Sequence, residues 1–323
     1  MEHLLQGLRA AGEETRMRLL VLCGHAELTV SEIIQVLGQS QPRVSRHLKL
    51  LCEAGLLDRF QEGSWVYYRL ASKGENSLLA RYLVDLTQES DPVVARDLER
   101  LDAIKQARSD AALAYFKENA SRWDEIRSLH ADDAEVETVL LKLLADYKQR
   151  NSGKLADLLD VGTGTGRVLE VLASHVDHAI GVDNSREMLA YARAKIEEKD
   201  LRNCQVRLGD MYTLPFTNQS QDCVVVHQVL HYAERPKGVL EEAKRVLRPG
   251  GLLLLVDFAP HSVKSLKEDH AHLQMGFDVH DVEQLCFNTG FSNLKTQILK
   301  GDPLTVNIWS AELNVLADHQ GAN

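Results

Sequence analysis

The 323-residue sequence contains no apolar run approaching the roughly 20 residues that cross a bilayer. Residues 1–16 lack the basic, apolar and small-residue series of a secretory signal, so a cytoplasmic location with no membrane partner is expected. Cysteine is scarce. Cys23, Cys52, Cys204, Cys223 and Cys286 form no C-x-x-C pair, which argues against a disulfide framework and a thiolate zinc site, and no metal is expected. Positive charge is also short, and a net charge of −10 argues against a general nucleic-acid coat. The deficit is uneven, because residues 1–75 carry nine Lys plus Arg against nine Asp plus Glu and are therefore neutral. Repeats and low-complexity segments are missing too. With 44% hydrophobic and 26% charged residues, the composition is that of a soluble globular chain long enough for two domains.

Residues 158–170, LLDVGTGTGRVLE, organise the second part of the chain. Apolar positions broken only by Asp160 predict a short buried strand, and Gly162, Gly164 and Gly166 allow a tight turn before a helix opens at Arg167. Exposed loop amides and the helix dipole would suit an anionic group, either a pyrophosphate or a carboxylate. A second strand, AIGVDNS, ends in Asp183, where a carboxylate can accept hydrogen bonds from both hydroxyls of a ribose. The glycines read G-x-G-x-G, whereas a dinucleotide loop usually reads G-x-G-x-x-G. VRLGDM puts Asp210 at the end of a third strand, DCVVVHQVLHY is a fourth, and RVLRPGGLLLLVDF is a helix, a turn and a fifth. Strands alternating with helices over short connections require a parallel sheet covered on both faces. NLKTQILKGDPLTVNIWSAEL then reads as two strands around Lys300 to Asp302.

Taken together, these stretches resemble the class I S-adenosylmethionine-dependent methyltransferases over about residues 110–315. The resemblance implies an α/β, Rossmann-like domain with a mostly parallel seven-stranded sheet and a C-terminal antiparallel hairpin, binding S-adenosylmethionine or S-adenosylhomocysteine. It assigns Asp160, Gly162, Thr163, Gly164 and Gly166 to the first motif, and Asp183, Asn184 and Met188 to the ribose side. Gly209, Asp210 and Met211 fall to the adenine, and His227 and Gln228 to the methionine part. Tyr115, Phe116, Trp123 and Arg127 are candidates for a lid over the cofactor. Methyl transfer needs alignment and sometimes proton removal but no fixed triad, so these motifs leave turnover open. His227, His231 and Tyr232 are the candidates for a catalytic role, and a small-molecule methyl acceptor is a possible partner. Asp257, His261, His270, His272 and His280 fall where such folds choose their acceptor. Arsenite methylation would need clustered thiols, and the spacing of Cys204, Cys223 and Cys286 offers none.

The first part of the chain reads differently. After two short amphipathic helices over residues 2–10 and 15–23, TVSEIIQVLG carries Thr29 and Glu32 at capping-box spacing and Gly38 as a stop. Ser40 then caps a helix in which Pro42 suits the first turn and Val44, Leu48 and Leu51 share one face. The other face presents Gln41, Arg43, Ser45, Arg46, His47 and Lys49, with no acid between Ser40 and Leu51. Amides and guanidiniums at a helix start read base edges, and flanking cations hold phosphates. LLDRFQEGSWVYYRL follows as a β-hairpin turning at Glu62 and Gly63.

A helix-turn-helix followed by such a wing resembles the ArsR-type winged-helix repressors, over residues 1–90. The resemblance implies a homodimer on double-stranded operator DNA, with Gln41 to Lys49 on the recognition helix and Arg59, Ser64 and Arg69 on the wing. It also implies a departure. Where many members carry E-L-C-V-C-D-L for soft metals, this chain has Glu27-Leu28-Thr29-Val30-Ser31-Glu32-Ile33, and hydroxyls cannot replace thiolates. The expected organisation is a winged-helix domain over 1–90, a helical linker over 91–110 after the Asp91-Pro92 break, and the methyltransferase-like domain over 111–323. The whole resembles ArsR-type regulators fused to an S-adenosylmethionine-binding domain, some of which respond to S-adenosylhomocysteine and govern methionine-cycle genes. Two functions follow: a ligand-responsive transcriptional regulator, or an active methyltransferase with an autoregulatory winged helix.

Overall fold

The structure, a computed structural model, describes all residues except 63–64, 128–132, 152–154, 264–272, 303 and 315–323; for 62, 65, 109 and 111–127 it describes the backbone alone. The chain divides at Asp110 into two units.

The first unit runs α1 (Glu2–Ala11), α2 (Glu14–His25), β1 (Leu28–Thr29), α3 (Val30–Leu37), α4 (Gln41–Glu53), β2 (Leu57–Glu62), β3 (Trp65–Leu70), α5 (Ser77–Leu86) and the start of α6 (Pro92–Arg127). The capping box forms as the spacing predicts: the Thr29 hydroxyl accepts from the Glu32 amide at 3.3 Å, and the Glu32 carboxylate accepts from the Thr29 amide at 2.8 Å. Gly38, in the left-handed region at φ 66°, ends α3. Ser40 stands at the N-cap of α4, but its side chain makes no capping bond. Val44, Leu48 and Leu51 of α4 are buried against Leu19, Leu20 and Leu22 of α2 and Ile33 and Val36 of α3. Leu48 has no exposed surface, and truncating such a side chain to alanine costs about 2–5 kcal/mol. The strands form an antiparallel sheet in the order β1-β3-β2.

Residues 91–110 depart from the expected linker. Val94, Leu101 and Ile104 of α6 are buried, and the last two join the core of the first unit, because these positions make an apolar stripe at helical spacing. The backbone of residues 111–127, where the lid candidates fall, continues α6 to Arg127.

The second unit adds α7 (Asp133–Arg150), β4 (Asp157–Val161), α8 (Arg167–Leu172), β5 (His178–Asp183), α9 (Arg186–Glu198), β6 (Cys204–Leu208), β7 (Gln221–His227), α10 (Pro236–Val246), β8 (Leu247–Phe258), α11 (Val279–Thr289), β9 (Phe291–Leu299) and β10 (Val306–Leu313). Its seven strands lie in the order β6-β5-β4-β7-β8-β10-β9, parallel except for β10, which runs antiparallel between β8 and β9. All five residues of β4 are buried, and β7 and β8 are nearly so, because two apolar cores cover the two sheet faces. The strand order reverses between β4 and β7. A crevice at the carboxyl ends of those strands is where such sheets take ligands.

Candidate ligand site and nucleic-acid interface

The glycine loop follows β4 at that switch point. Gly162, Gly164 and Gly166 have φ of 72°, 51° and 78°, a region that side chains rarely adopt. A Cβ on Gly162 would collide with the Val229 side chain, so the loop and the segment after β7 are in close contact. Four amides of the loop are already taken by the protein itself. Those of Gly162 and Thr163 donate to the Val182 carbonyl at 2.7 and 2.9 Å, Gly166 donates to the Thr163 carbonyl at 2.9 Å, and Gly164 donates to Asp183 Oδ2 at 2.8 Å. A loop whose donors are spent on its own strands is poorly suited to a pyrophosphate.

The loop surrounds acceptors instead. Asp160 is 1% exposed, and among the described residues neither carboxylate oxygen has a hydrogen-bond partner of normal geometry. Burial pushes its pKa up to about 7, the Thr163 hydroxyl favours the charged form, and the nearby Asp183 carboxylate opposes it. Thr163 is buried beside it. Asp183, at the end of β5, accepts from Gly164 and, through Oδ1, from the Ser185 amide at 2.8 Å. Burial raises its pKa despite these bonds. The Asn184 amide adds a third bond that favours the charged form. Asn184 is exposed, while Met188 is buried one turn into α9.

Beyond β7, Gln228 adopts φ 53°, donates its amide to the Val256 carbonyl at 2.7 Å and holds a buried side-chain Nε2 that has no acceptor among the described residues. A non-glycine residue in this region is held there by its surroundings, a strain that concentrates at functional sites. His227 is half-buried beside it. Gly209 donates to the Asp183 carbonyl at 2.9 Å, Met211 packs on the second core, and Asp210 is exposed and accepts from the Tyr212 amide at 2.8 Å.

His231 is 2% exposed. Its Nδ1 lies 2.8 Å from Asp257 Oδ1, and its amide donates to Oδ2 at 3.1 Å, so one carboxylate fixes both backbone and ring. Tyr232 is at the surface and its ring lies 4.2 Å from that of His231, centroid to centroid. Burial lowers the pKa of His261, and His231 adds to this. The side chains of Tyr115, Phe116, Trp123 and Arg127, and residues His270 and His272, lie outside the described residues. Cys204, Cys223 and Cys286 are buried, and burial pushes Cys204 and Cys286 up to about 12 and Cys223 higher still. None of these thiols can serve as a thiolate at neutral pH.

In the first unit, Gln41, Arg43, Ser45, Arg46 and Lys49 of α4 are exposed, as is Arg59 on β2. Two candidates for DNA contact turn inward. His47 is half-buried with Nδ1 3.6 Å from Glu13, because its position lies at the edge of the apolar face. Arg69 sits on the central strand β3, 5% exposed, 3.2 Å from Glu27 and 3.5 Å from Asp58, with its guanidinium over the Phe60 ring at 4.8 Å. Strand alternation alone does not tell which face of a wing is covered, and Glu27 was the signal for it. Ser64 lies outside the described residues. Two open clefts of 820 and 600 Å³, one between α2 and the α5–α6 connection and one between α10 and α11, do not border the glycine loop.

A helix-turn-helix with an exposed basic face, joined in one chain to a doubly wound sheet with a ligand crevice, defines the class of this protein. Residues 13–59 match the arsR family of bacterial regulatory proteins and residues 159–255 match a methyltransferase domain family, so the two units each contain a segment similar to one of these families. Over 103 residues it is 35% identical to the arsenite methyltransferase of Halobacterium salinarum, covering 31% of this chain and 26% of that one. Over 209 residues it is 26% identical to a malonyl-[acyl-carrier protein] O-methyltransferase of Marinomonas sp., covering 64% and 70%. The crystal structure of the CurJ carbon methyltransferase shares the fold, with a TM-score of 0.50 at 17% identity over 95% of this chain and 94% of that one. The chain spans 26% to 41% of the length of the first four curated relatives it matches. Among the described residues no helix is long and apolar enough to cross a membrane.

Proposed function

We propose that the protein is a DNA-binding transcriptional regulator whose operator affinity is set by S-adenosylmethionine or S-adenosylhomocysteine bound in the second unit. The observation that carries this reading is the unpartnered pair at the switch point, the Asp160 carboxylate and the Gln228 amide donor. An amino-acid end group supplies the complements, an ammonium for Asp160 and a carboxylate for Gln228. The Asp183 carboxylate suits two ribose hydroxyls, and Gly209, Asp210 and Met211 border the adenine side. When bound, S-adenosylmethionine supplies an electrophilic methyl group, whereas S-adenosylhomocysteine has none.

On the DNA side, Gln41, Arg43, Ser45, Arg46 and Lys49 form the reading face, with Arg59 toward the backbone phosphates. Leu4, Leu5 and Leu8 on α1 and Leu78, Tyr82 and Leu86 on α5 are exposed apolar side chains that suit a homodimer. Methionine-cycle genes are the proposed targets, and the cytoplasm the proposed compartment.

The test is operator affinity at fixed salt, on a fragment from the protein's own promoter, titrated separately with the two ligands. A shift with one ligand identifies the effector. Tight ligand binding with no shift would overturn the regulator reading, since only a ligand with different affinity for two states moves their balance.

A specific observation favours a second reading. Asp257 fixes the ring of His231, and a proton on Nδ1 would leave Nε2 as a base toward a methyl acceptor. Methyl transfer to a small-molecule acceptor that is lost in His231→Gln, with ligand affinity kept, would establish it.

A further inference from the structure

The open cleft of 600 Å³ between the starts of α10 and α11 lies apart from the glycine loop, and its size falls in the range of small-molecule sites. Val239, Leu240 and Ala243 of α10 and Val282 and Cys286 of α11 close the two helices onto one core, so the cleft opens at their first turns. Phe277, Val282 and Leu285 give it an apolar wall. Phe277 is held in place, its amide donating to the Phe258 carbonyl at 2.8 Å and its carbonyl accepting from Asn307 Nδ2 at 3.3 Å.

Four charged side chains border the same cleft, and they do not resolve into two pairs. Lys237 meets Glu241 one turn further along α10, at 3.3 Å. Arg235 at the start of α10 and Asp281 in the first turn of α11 are left over: among the described residues neither forms an ion pair. Arg235 is nevertheless anchored. Its guanidinium lies over the Tyr212 ring, 5.1 Å from the centroid, and its amide donates to the Tyr212 hydroxyl at 3.1 Å. Gly238 admits that ring to the first turn of α10, since a Cβ there would stand 3.2 Å from it. An aromatic face orients a cation without neutralising it. The cleft therefore presents a held cation on one wall and, on the other, an unmatched carboxylate with apolar surface beside it. Exposed charges often meet only water; these two share one concave, apolar-lined space.

We propose that this cleft is a second ligand site, for a zwitterion with an apolar body: an apolar α-amino acid or the corresponding dipeptide. Its carboxylate meets Arg235, its ammonium meets Asp281, and its side chain covers Phe277, Val282 and Leu285. A simple anion would leave Asp281 unmatched and a simple cation Arg235, whereas a zwitterion complements both. The site stands independently of the regulator reading, because the glycine loop, Asp183 and Gln228 do not border it.

The test is calorimetry on the full-length chain with L-leucine, L-leucyl-L-leucine and 4-methylpentanoate, which is leucine without its ammonium. Titration to about 10 mM reads millimolar and tighter affinities. The expected result is saturable binding of leucine or its dipeptide, weakened about fivefold by Arg235→Ala and by Asp281→Asn, the worth of one exposed ion contact. The tighter of the two names the source. 4-Methylpentanoate should bind more weakly, with no further loss in Asp281→Asn, and circular dichroism checks that both variants fold. No saturable heat with leucine or the dipeptide overturns the site, as does binding that both variants leave unchanged. 4-Methylpentanoate bound as tightly as leucine overturns the zwitterion. An amino acid could also enter the glycine-loop crevice, so the titration is repeated on Asp160→Asn. Binding lost there and kept in Arg235→Ala belongs to the crevice and overturns the cleft.

Discussion

In the first unit Asp97 meets Arg18, Glu32 meets Arg108 and Glu27 meets Arg69, each within 3.2 Å. In the second unit Asp160, more buried than any of these carboxylates, meets no cation among the described residues, and the Gln228 amide beside the same crevice meets no acceptor among them. These three carboxylates of the first unit are satisfied from within. The second unit carries polar groups whose burial is unfavourable until something else satisfies them. The difference separates a framework from a site.

The comparison breaks most visibly on the DNA side. Arg43→Ala combined with Arg46→Ala should weaken operator binding about a thousand-fold, on the order of 4 kcal/mol for two base or phosphate contacts, with ligand affinity untouched. Fluorescence anisotropy at fixed salt reads the first and calorimetry the second. Arg69→Ala should instead lower stability by about 3 kcal/mol in denaturant, since it strands Glu27, while the folded fraction binds operator normally. Weaker binding at unchanged stability would return Arg69 to the DNA surface. Asp183→Ala should weaken ligand binding by about 150-fold, the loss of two hydrogen bonds to a charged group of roughly 1.5 kcal/mol each. Undiminished affinity would sink its ribose role.

A further test concerns pH. Asp160 is raised in the folded chain to about 7 from an ordinary 3.8, so its contribution to stability is full below 3.8 and is lost as pH rises through 7. Asp160→Asn should therefore stabilise the ligand-free protein at pH 8 and not at pH 4. An ammonium needs the charged carboxylate, so wild-type ligand affinity should rise about tenfold per unit between pH 5 and 7 and level off above. A flat profile would detach Asp160 from the ligand.

Much of this was legible in the residues. The β4 strand, its G-x-G-x-G loop, Asp183 and the hairpin at the end of the sheet follow from local pattern, as do the capping box at Thr29 and the apolar face of α4. What escaped depended on contacts distant in sequence. Arg69 lies 42 residues from Glu27, and Arg108 lies 76 from Glu32. In both cases a charged residue that looks like a surface group in its own segment is covered by another. Residues 91–110 read as a linker because their charge obscured the three apolar positions that matter. The loop amides read as available because the Val182 carbonyl that takes two of them belongs to the next strand.

Those occupied amides have a kinetic consequence. A loop already bonded at Gly162, Thr163, Gly164 and Gly166 has little freedom left to lose when a ligand arrives, so association carries almost no ordering cost there. Under the proposed function, exchange of one ligand form for another would be limited by departure of the first rather than by refolding of the crevice. A regulator built on such a site follows the ratio of the two forms as it changes, with no memory of the form that was bound before.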